Sequence, residues 1–143
     1  MSVTKEQLFA MTQDQLDALF SDHEAGPIPD GEAEGTAILA PGRSYNDEIA
    51  KLISIFAWQG KVFDAKSGTL RNHILPFGIK AIIARVYKDK SWLDGKECIV
   101  LDYSDTSIVA QWIRDEIRCI GPNLYLGEVY WGKTRLIDFV LEF

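Results

Sequence analysis

Apolar side chains recur at every second position over the last third of the chain, which is the spacing that lets a β-strand bury one face. The alternation runs from Asn123 to Trp131 and resumes from Thr134 to Phe143. Gly132-Lys133 forms a turn between the two segments, and Gly121-Pro122 comes before the first one. One face of the last segment carries Ile137, Phe139, Leu141 and Phe143. We therefore predict two antiparallel strands in which Ile137, Phe139 and Leu141 are buried.

Shorter segments that alternate, or are rich in β-branched residues, precede this pair. They cover residues 32–39, 59–64, 69–75, 80–88, 96–103 and 115–120. Strands joined in sequence by short turns form an antiparallel meander, and a long meander tends to close because closure removes its unpaired edges. We therefore predict a mainly β fold, an antiparallel closed barrel of about eight strands. Residues 104–114 suit either a helical turn or a strand, and we favour a short turn that leads into the strand at 115–120.

The first thirty residues are predicted to be helical and then irregular. Thr4 and Thr12 each stand three residues before a glutamine, which is the pattern of a capping box, so we expect two short helices or one broken helix. Gly26 and two prolines make residues 22–30 an irregular connector. This divides the chain into an N-terminal helical segment with its connector, residues 1–30, and a barrel domain, residues 31–143.

Another helix is predicted between the first two strands. The apolar residues there recur with helical spacing, at i, i+3, i+4 and i+7. They are Ile49, Leu52, Ile53 and Phe56. Such a helix presents an apolar stripe, which we expect to pack on the barrel.

Composition and charge exclude several classes of function. The formal net charge is −6, and the basic residues are scattered singly, so neither nucleic acid nor an anionic membrane is an expected partner.

The N-terminal residues lack the charged and apolar regions of a signal peptide, which favours a cytoplasmic location. Cys98 and Cys119 lie in apolar segments and are expected to be reduced core cysteines, the alternative being a pair or a reactive thiol.

The strongest polar signal lies on the predicted strand at 115–120 and just before it, where Arg114, Asp115, Glu116 and Arg118 occur among apolar residues. Asp115 shares a face with Ile117 and Cys119, so we expect it to point inward, where a charge must be paired. Arg85, which alternates with Ile83 and Tyr87, is the partner we predict. The group then either orients the polar head of a ligand, or is a structural ion pair or a solvated outer face.

Other chemistry is sparse. The two histidines, His23 and His73, are too few for a multi-histidine metal site, and we predict no metal and no cofactor. Asp102, Tyr103 and Asp105 could form a carboxylate site but also suit a turn. Four tryptophans could line a cavity or fill a core. They are Trp58, Trp92, Trp112 and Trp131.

Several motifs, in their order along the chain, resemble those of small bacterial lipocalin-like proteins of the calycin type, including the GXWXG type. The matching residues are Trp58-Gln59-Gly60-Lys61-Val62-Phe63-Asp64, Asn72, Leu101-Asp102-Tyr103, Arg114-Asp115-Glu116-Ile117-Arg118 and Tyr125-Leu126-Gly127. The resemblance covers residues 35–143 and implies a barrel that binds a small hydrophobic molecule. Residues 31–36 lack the early Gly-x-Trp signature, so the resemblance implies a class of ligand but no individual ligand.

We therefore expect a ligand-binding module. Its expected ligand-binding residues are Trp58, Asn72, Arg85, Tyr87, Asp115 and Tyr125. One alternative is a small barrel enzyme, a lyase, isomerase or hydrolase, that uses Asp115, Glu116, Arg85 or Tyr125; its catalytic residues are not identified by the sequence. The other is an interaction protein that forms a homodimer through the helix at residues 49–56.

Overall fold

The alternating segments form eight antiparallel strands, and these close into a barrel in which each strand pairs with the next along the chain. This computed structural model describes residues 3–38, 61–72, 82–104, 113–132 and 134–143. The strands are β1 (Gly31–Ile38), β2 (Lys61–Asp64), β3 (Thr69–Asn72), β4 (Ile82–Lys90), β5 (Glu97–Asp102), β6 (Ile113–Gly121), β7 (Leu124–Trp131) and β8 (Thr134–Glu142). β8 pairs with β1, with Leu141 opposite Gly35, and this pairing closes the barrel. The predicted mainly β fold, with about eight antiparallel strands, is confirmed.

Two short helices precede the barrel, as predicted: α1 (Lys5–Phe9) and α2 (Gln13–Ser21). Both begin with the predicted capping box, formed by Thr4 with Gln7 and by Thr12 with Gln15. The apolar side of the helices packs on the outer face of the sheet. The buried residues of this outer cluster are Leu8, Leu16, Phe20, Ile38, Cys98, Val100, Ile120, Leu126 and Val140.

A second apolar cluster fills much of the barrel interior. Its members include Phe63, Leu70, Val86, Ile99, Leu101, Ile117, Val129, Ile137, Phe139 and Leu141. Phe139 lies directly on Gly127 of the neighbouring strand, because a Cβ atom at Gly127 would come within 2.2 Å of the phenyl ring. Ile137, Phe139 and Leu141 are 3%, 2% and 0% exposed, which confirms their predicted burial.

The two ends of the barrel differ. At the lower end, short turns at residues 65–68, 91–96 and 122–123 join the strands. Phe143 closes this end with Phe63 and Tyr125, whose ring centroids lie 5.4 and 5.5 Å from its own. The connector packs there too, since Ala25 accepts a hydrogen bond from the Cys119 amide at 3.1 Å. The upper end is the one at which β1, β3 and β5 end and β2, β4 and β6 begin.

Several sequence-based predictions lie wholly or partly outside the described residues. These include the helix at 49–56 and most of the ambiguous segment 104–114, although β6 begins two residues earlier than predicted, at Ile113. Cys98 is buried, Cys119 is half-buried and both are free thiols. Among the described residues, no helix has the length and apolar character that crossing a membrane requires.

Candidate functional site

Asp115 lies inside the barrel, as its position on the strand predicted. Its neighbours on the same face of β6, Ile113 and Ile117, belong to the interior cluster. In the register of the sheet Asp115 stands between Leu101 of β5 and Val129 of β7, and it is 1% exposed. A carboxylate in these surroundings is costly unless a nearby positive charge compensates for it.

The compensating charge comes from Lys61, the first residue of β2. Lys61 is 1% exposed and shares the inner face of β2 with Phe63. Among the described residues of the interior, Lys61 and Asp115 are the charged ones, and each lies near the start of its strand. Burial lowers the pKa of Lys61, while the negative charge of Asp115 opposes that change. Burial raises the pKa of Asp115, and the positive charge of Lys61 opposes it in turn. The two pKa values therefore move toward each other, with burial as the larger cause for both.

The predicted pairing of Asp115 with Arg85 is wrong. On β4 the inward residues are Ala84 and Val86, so Arg85 lies on the outer face and is exposed. Tyr87 is also outside, where its hydroxyl donates a hydrogen bond of 2.8 Å to Asp102. Both faces of β4 carry apolar residues. The face that carries Ala84 and Val86 is the inner one, and the face that carries Ile83 and Arg85 is the outer one.

Arg114, Glu116 and Arg118 share the outer face of β6, as predicted, but this face is covered rather than solvated. Glu116 is fully buried. Its carboxylate accepts hydrogen bonds from the Ser91 hydroxyl at 2.6 Å and the Trp92 amide at 2.9 Å, and it pairs with Arg114 at 3.0 Å. These contacts tie the turn at residues 91–96 to the barrel wall.

Arg118 attaches α2 to the barrel wall in a similar way. Its guanidinium is fully buried and donates two hydrogen bonds, of 2.6 and 2.8 Å, to the Asp94 carboxylate. It also donates to the Phe20 carbonyl at 2.9 Å and lies 4.3 Å from the centre of the Phe20 ring. The bonds from Arg118 lower the pKa of Asp94 to about 2. The polar motif is thus divided: its outer residues hold the structure together, and Asp115 faces the interior.

A second buried polar group, which the sequence reasoning missed, joins α2 to β7 and β8. Carboxylate oxygens of Asp17, Glu128 and Asp138 lie within 4.8 Å of one another. Arg135 spans two of them, at 2.8 Å from Asp17 and 3.0 Å from Glu128. Burial, together with the charge of Asp138, raises the pKa of Glu128 to about 8, although Arg135 opposes this. An arginine already supplies positive charge here, so we interpret the cluster as a structural contact.

The remaining predicted site residues are dispersed. Tyr125 faces the interior at the lower end, where its hydroxyl donates a 2.7 Å hydrogen bond to the Pro27 carbonyl. Asn72 is the last residue of β3 and stands opposite Lys61 on the neighbouring strand. The Asn72 side chain and the whole of Trp58 are outside the part of the chain that the structure describes. The structure therefore places Lys61 in the same interior as Asp115, and it places Arg85 and Tyr87 on the outer face and Tyr125 at the lower end. The alternation of Lys61 with Phe63 is the sequence signal that could have placed the lysine inside.

No family model matches the chain, and no curated protein matches it. Among solved structures, the crystal structure of a protein from Thermomonospora curvata is similar to it. The similarity covers 93% of this chain and 88% of the other, with a TM-score of 0.61 and 14% sequence identity. At this identity the similarity shows the shared fold alone.

Proposed function

We propose that this protein binds a small apolar molecule inside a lipocalin-like barrel, with Lys61 and Asp115 as the polar anchor. The observation that carries the proposal is the presence of two opposite charges, each 1% exposed, among the apolar side chains of the interior. Burying two opposite charges is a poor way to stabilise a core, because apolar residues of similar volume often serve as well or better. A role in binding accounts for its presence.

Small inward side chains on two strands support the idea of a ligand space. On β1 the inner face carries Ala33, Gly35 and Ala37, and on β4 it carries Ala84. A barrel of eight strands is of the size that holds either its own side chains or one small ligand. Aromatic rings close the lower end of the described barrel, and the ligand would lie above them, beside Lys61 and Asp115.

The anchor defines what the polar part of the ligand should be. The ammonium group of Lys61 donates hydrogen bonds and the carboxylate of Asp115 accepts them. A ligand that carries one hydroxyl or carbonyl group on an apolar body can satisfy one of these groups while its body contacts the apolar wall. Such a ligand fits the class that the resemblance to lipocalin-like proteins implies.

The enzyme alternative now depends on fewer residues. Glu116 and Arg85 lie on the outer side, so an acid–base step inside the barrel would use Lys61 and Asp115, whose shifted pKa values suit proton transfer. The dimerisation alternative relied on the helix at residues 49–56, which lies outside the described residues.

Native mass spectrometry of the freshly purified protein, before and after solvent extraction, tests the binding proposal. We expect an additional mass that extraction removes, and we expect the extracted protein to bind an environment-sensitive apolar dye at one saturable site. Decanol should displace the dye in competition. Failure of the extracted protein to bind either the dye or decanol would contradict the proposal.

A further inference from the structure

Lys61 differs from the other lysines of the described strands and turns in its surroundings. Lys66, Lys88, Lys90 and Lys96 are exposed, whereas Lys61 is enclosed by the barrel wall. Exposed ammonium groups are strongly hydrated and almost wholly protonated at neutral pH, so they are weak nucleophiles. A lysine held in an apolar pocket reaches its neutral, nucleophilic form more readily, and this is the setting in which lysines condense with carbonyl groups.

Asp115 supplies the second requirement, a group that exchanges protons with the amine. Its carboxylate lies in the same interior, since Asp115 shares the inner face of β6 with Ile117, as Lys61 shares that of β2 with Phe63, and both are 1% exposed. A condensation between an amine and an aldehyde needs a proton removed from nitrogen and a proton delivered to the departing oxygen. One carboxyl group in the same enclosure as the amine can do both in turn.

From this arrangement we propose that Lys61 binds apolar aldehydes covalently, as a reversible imine inside the barrel. The inference rests on the proposed function and deepens it, because it names the chemical class of the ligand. The described interior presents a primary amine and a carboxyl group together within an apolar enclosure, and an aldehyde on an apolar body complements all three features.

The step is balanced without an oxidant or a reductant. The ammonium group of Lys61 gives a proton to the Asp115 carboxylate, and the nitrogen lone pair forms a bond to the carbonyl carbon. A proton then moves from nitrogen to oxygen, which gives a neutral carbinolamine. Asp115 returns its proton to the hydroxyl group, the C–O bond breaks and water leaves. The product is a protonated imine beside the carboxylate of Asp115.

Reductive trapping with decanal tests the proposal on the full chain. The protein is incubated with decanal and cyanoborohydride at neutral pH, digested, and mapped by mass spectrometry. We expect at least roughly tenfold more reduced adduct at Lys61 than at exposed Lys66, because burial favours the neutral amine. A Lys66→Met variant should keep this labelling. A Lys61→Met, Asp115→Leu double variant, which removes both charges together, should lose it.

The outcomes separate this inference from the proposed function. Labelling of lysines in proportion to their exposure, or no labelling in a protein from which decanol displaces the apolar dye, would overturn the imine while leaving the binding proposal in place. If neither decanal nor decanol displaces the dye, both proposals fail. Mapping the wild-type protein decides the question even if a variant does not fold.

Discussion

Asp115 and Lys61 carry opposite charges in a part of the molecule that water scarcely reaches, since each is 1% exposed. Removing two charges from water is costly, and their attraction repays that cost only while both are present. Each charge partly compensates the other, because it opposes the pKa shift that burial causes. These two charged residues interrupt the apolar lining of the described interior, and both functional proposals are based on them.

Asp115→Asn should be strongly destabilising. The amide keeps the shape of the side chain but removes the negative charge that acts on Lys61. Leaving a buried charge uncompensated in this way costs about 3–5 kcal/mol. Denaturant unfolding would measure the change. A Lys61→Met, Asp115→Leu double variant should be more stable than Asp115→Asn, because neither charge is then buried. If the single variant loses less than about 1 kcal/mol, the charges do not depend on each other as described.

At this scale the sequence predicted the direction of Asp115 but not its partner. Alternation states which residues of one strand share a face, and the apolar neighbours of Asp115 identified that face as the inner one. On β4 both faces carry apolar side chains, so alternation could not show that Arg85 points outward. Lys61 stands at the start of a short strand, where a lysine is usually solvent-exposed, and its alternation with Phe63 covers too few positions to decide.

The elements outside the barrel are held to it by buried charges. Arg118, on β6, donates hydrogen bonds to α2 and to the turn at residues 91–96. Arg135, on β8, joins α2 to β7 through Asp17 and Glu128. The sequence predicted both helices because their capping boxes are local signals. It did not predict these attachments, because they depend on residues separated by up to 118 positions in the chain.

The α2 attachment should make stability depend on pH through Glu128. Its pKa is raised to about 8 in the folded state, with burial as the main cause, so the folded protein keeps this proton at pH values where the unfolded chain has lost it. The stabilisation that Glu128 gives to the folded state is fully present at pH values below the usual carboxyl pKa. It is lost as the pH rises toward 8. The groups that face Glu128 are Asp17, Glu116, Tyr130, Arg135 and Asp138.

Denaturant unfolding between about pH 5 and pH 9 should show this loss, with a slope from Glu128 of at most about 1.4 kcal/mol per pH unit. Glu128→Gln should make the profile flatter. Glu32→Gln, at an exposed position of β1, is the matched control and should leave the profile unchanged. A Glu128→Gln profile as steep as that of the wild type would contradict the assignment.

The stability of the protein should depend more on Phe139, in the core face of β8, than on an exposed aromatic residue. The ring is 2% exposed and covers Gly127, so Phe139→Ala removes a large core side chain and should cost about 3–5 kcal/mol. Phe9→Ala, where the ring is 38% exposed, is the control and should cost much less. Equal midpoints for the two variants in denaturant would show that Phe139 is not a core residue.

At the scale of the whole molecule, the described barrel is closed by aromatic rings and the connector at its lower end, and Lys61 and Asp115 lie in the interior above them. The sequence predicted this closed antiparallel barrel because alternating segments, most of them joined by short connections, leave few other arrangements. The difference between the ends arises from the pairing register and from contacts with the connector, which no local pattern encodes.

The central claim is that the interior pair, and not the outer polar residues, anchors an apolar ligand. The most direct measurement is displacement of an environment-sensitive dye by decanol, compared between Asp115→Asn and the outward-facing Arg85→Met. We predict that Asp115→Asn weakens decanol binding about tenfold, the equivalent of one lost hydrogen bond to a charged group, and that Arg85→Met leaves it unchanged. Equal affinity in the wild type and both variants would contradict the claim.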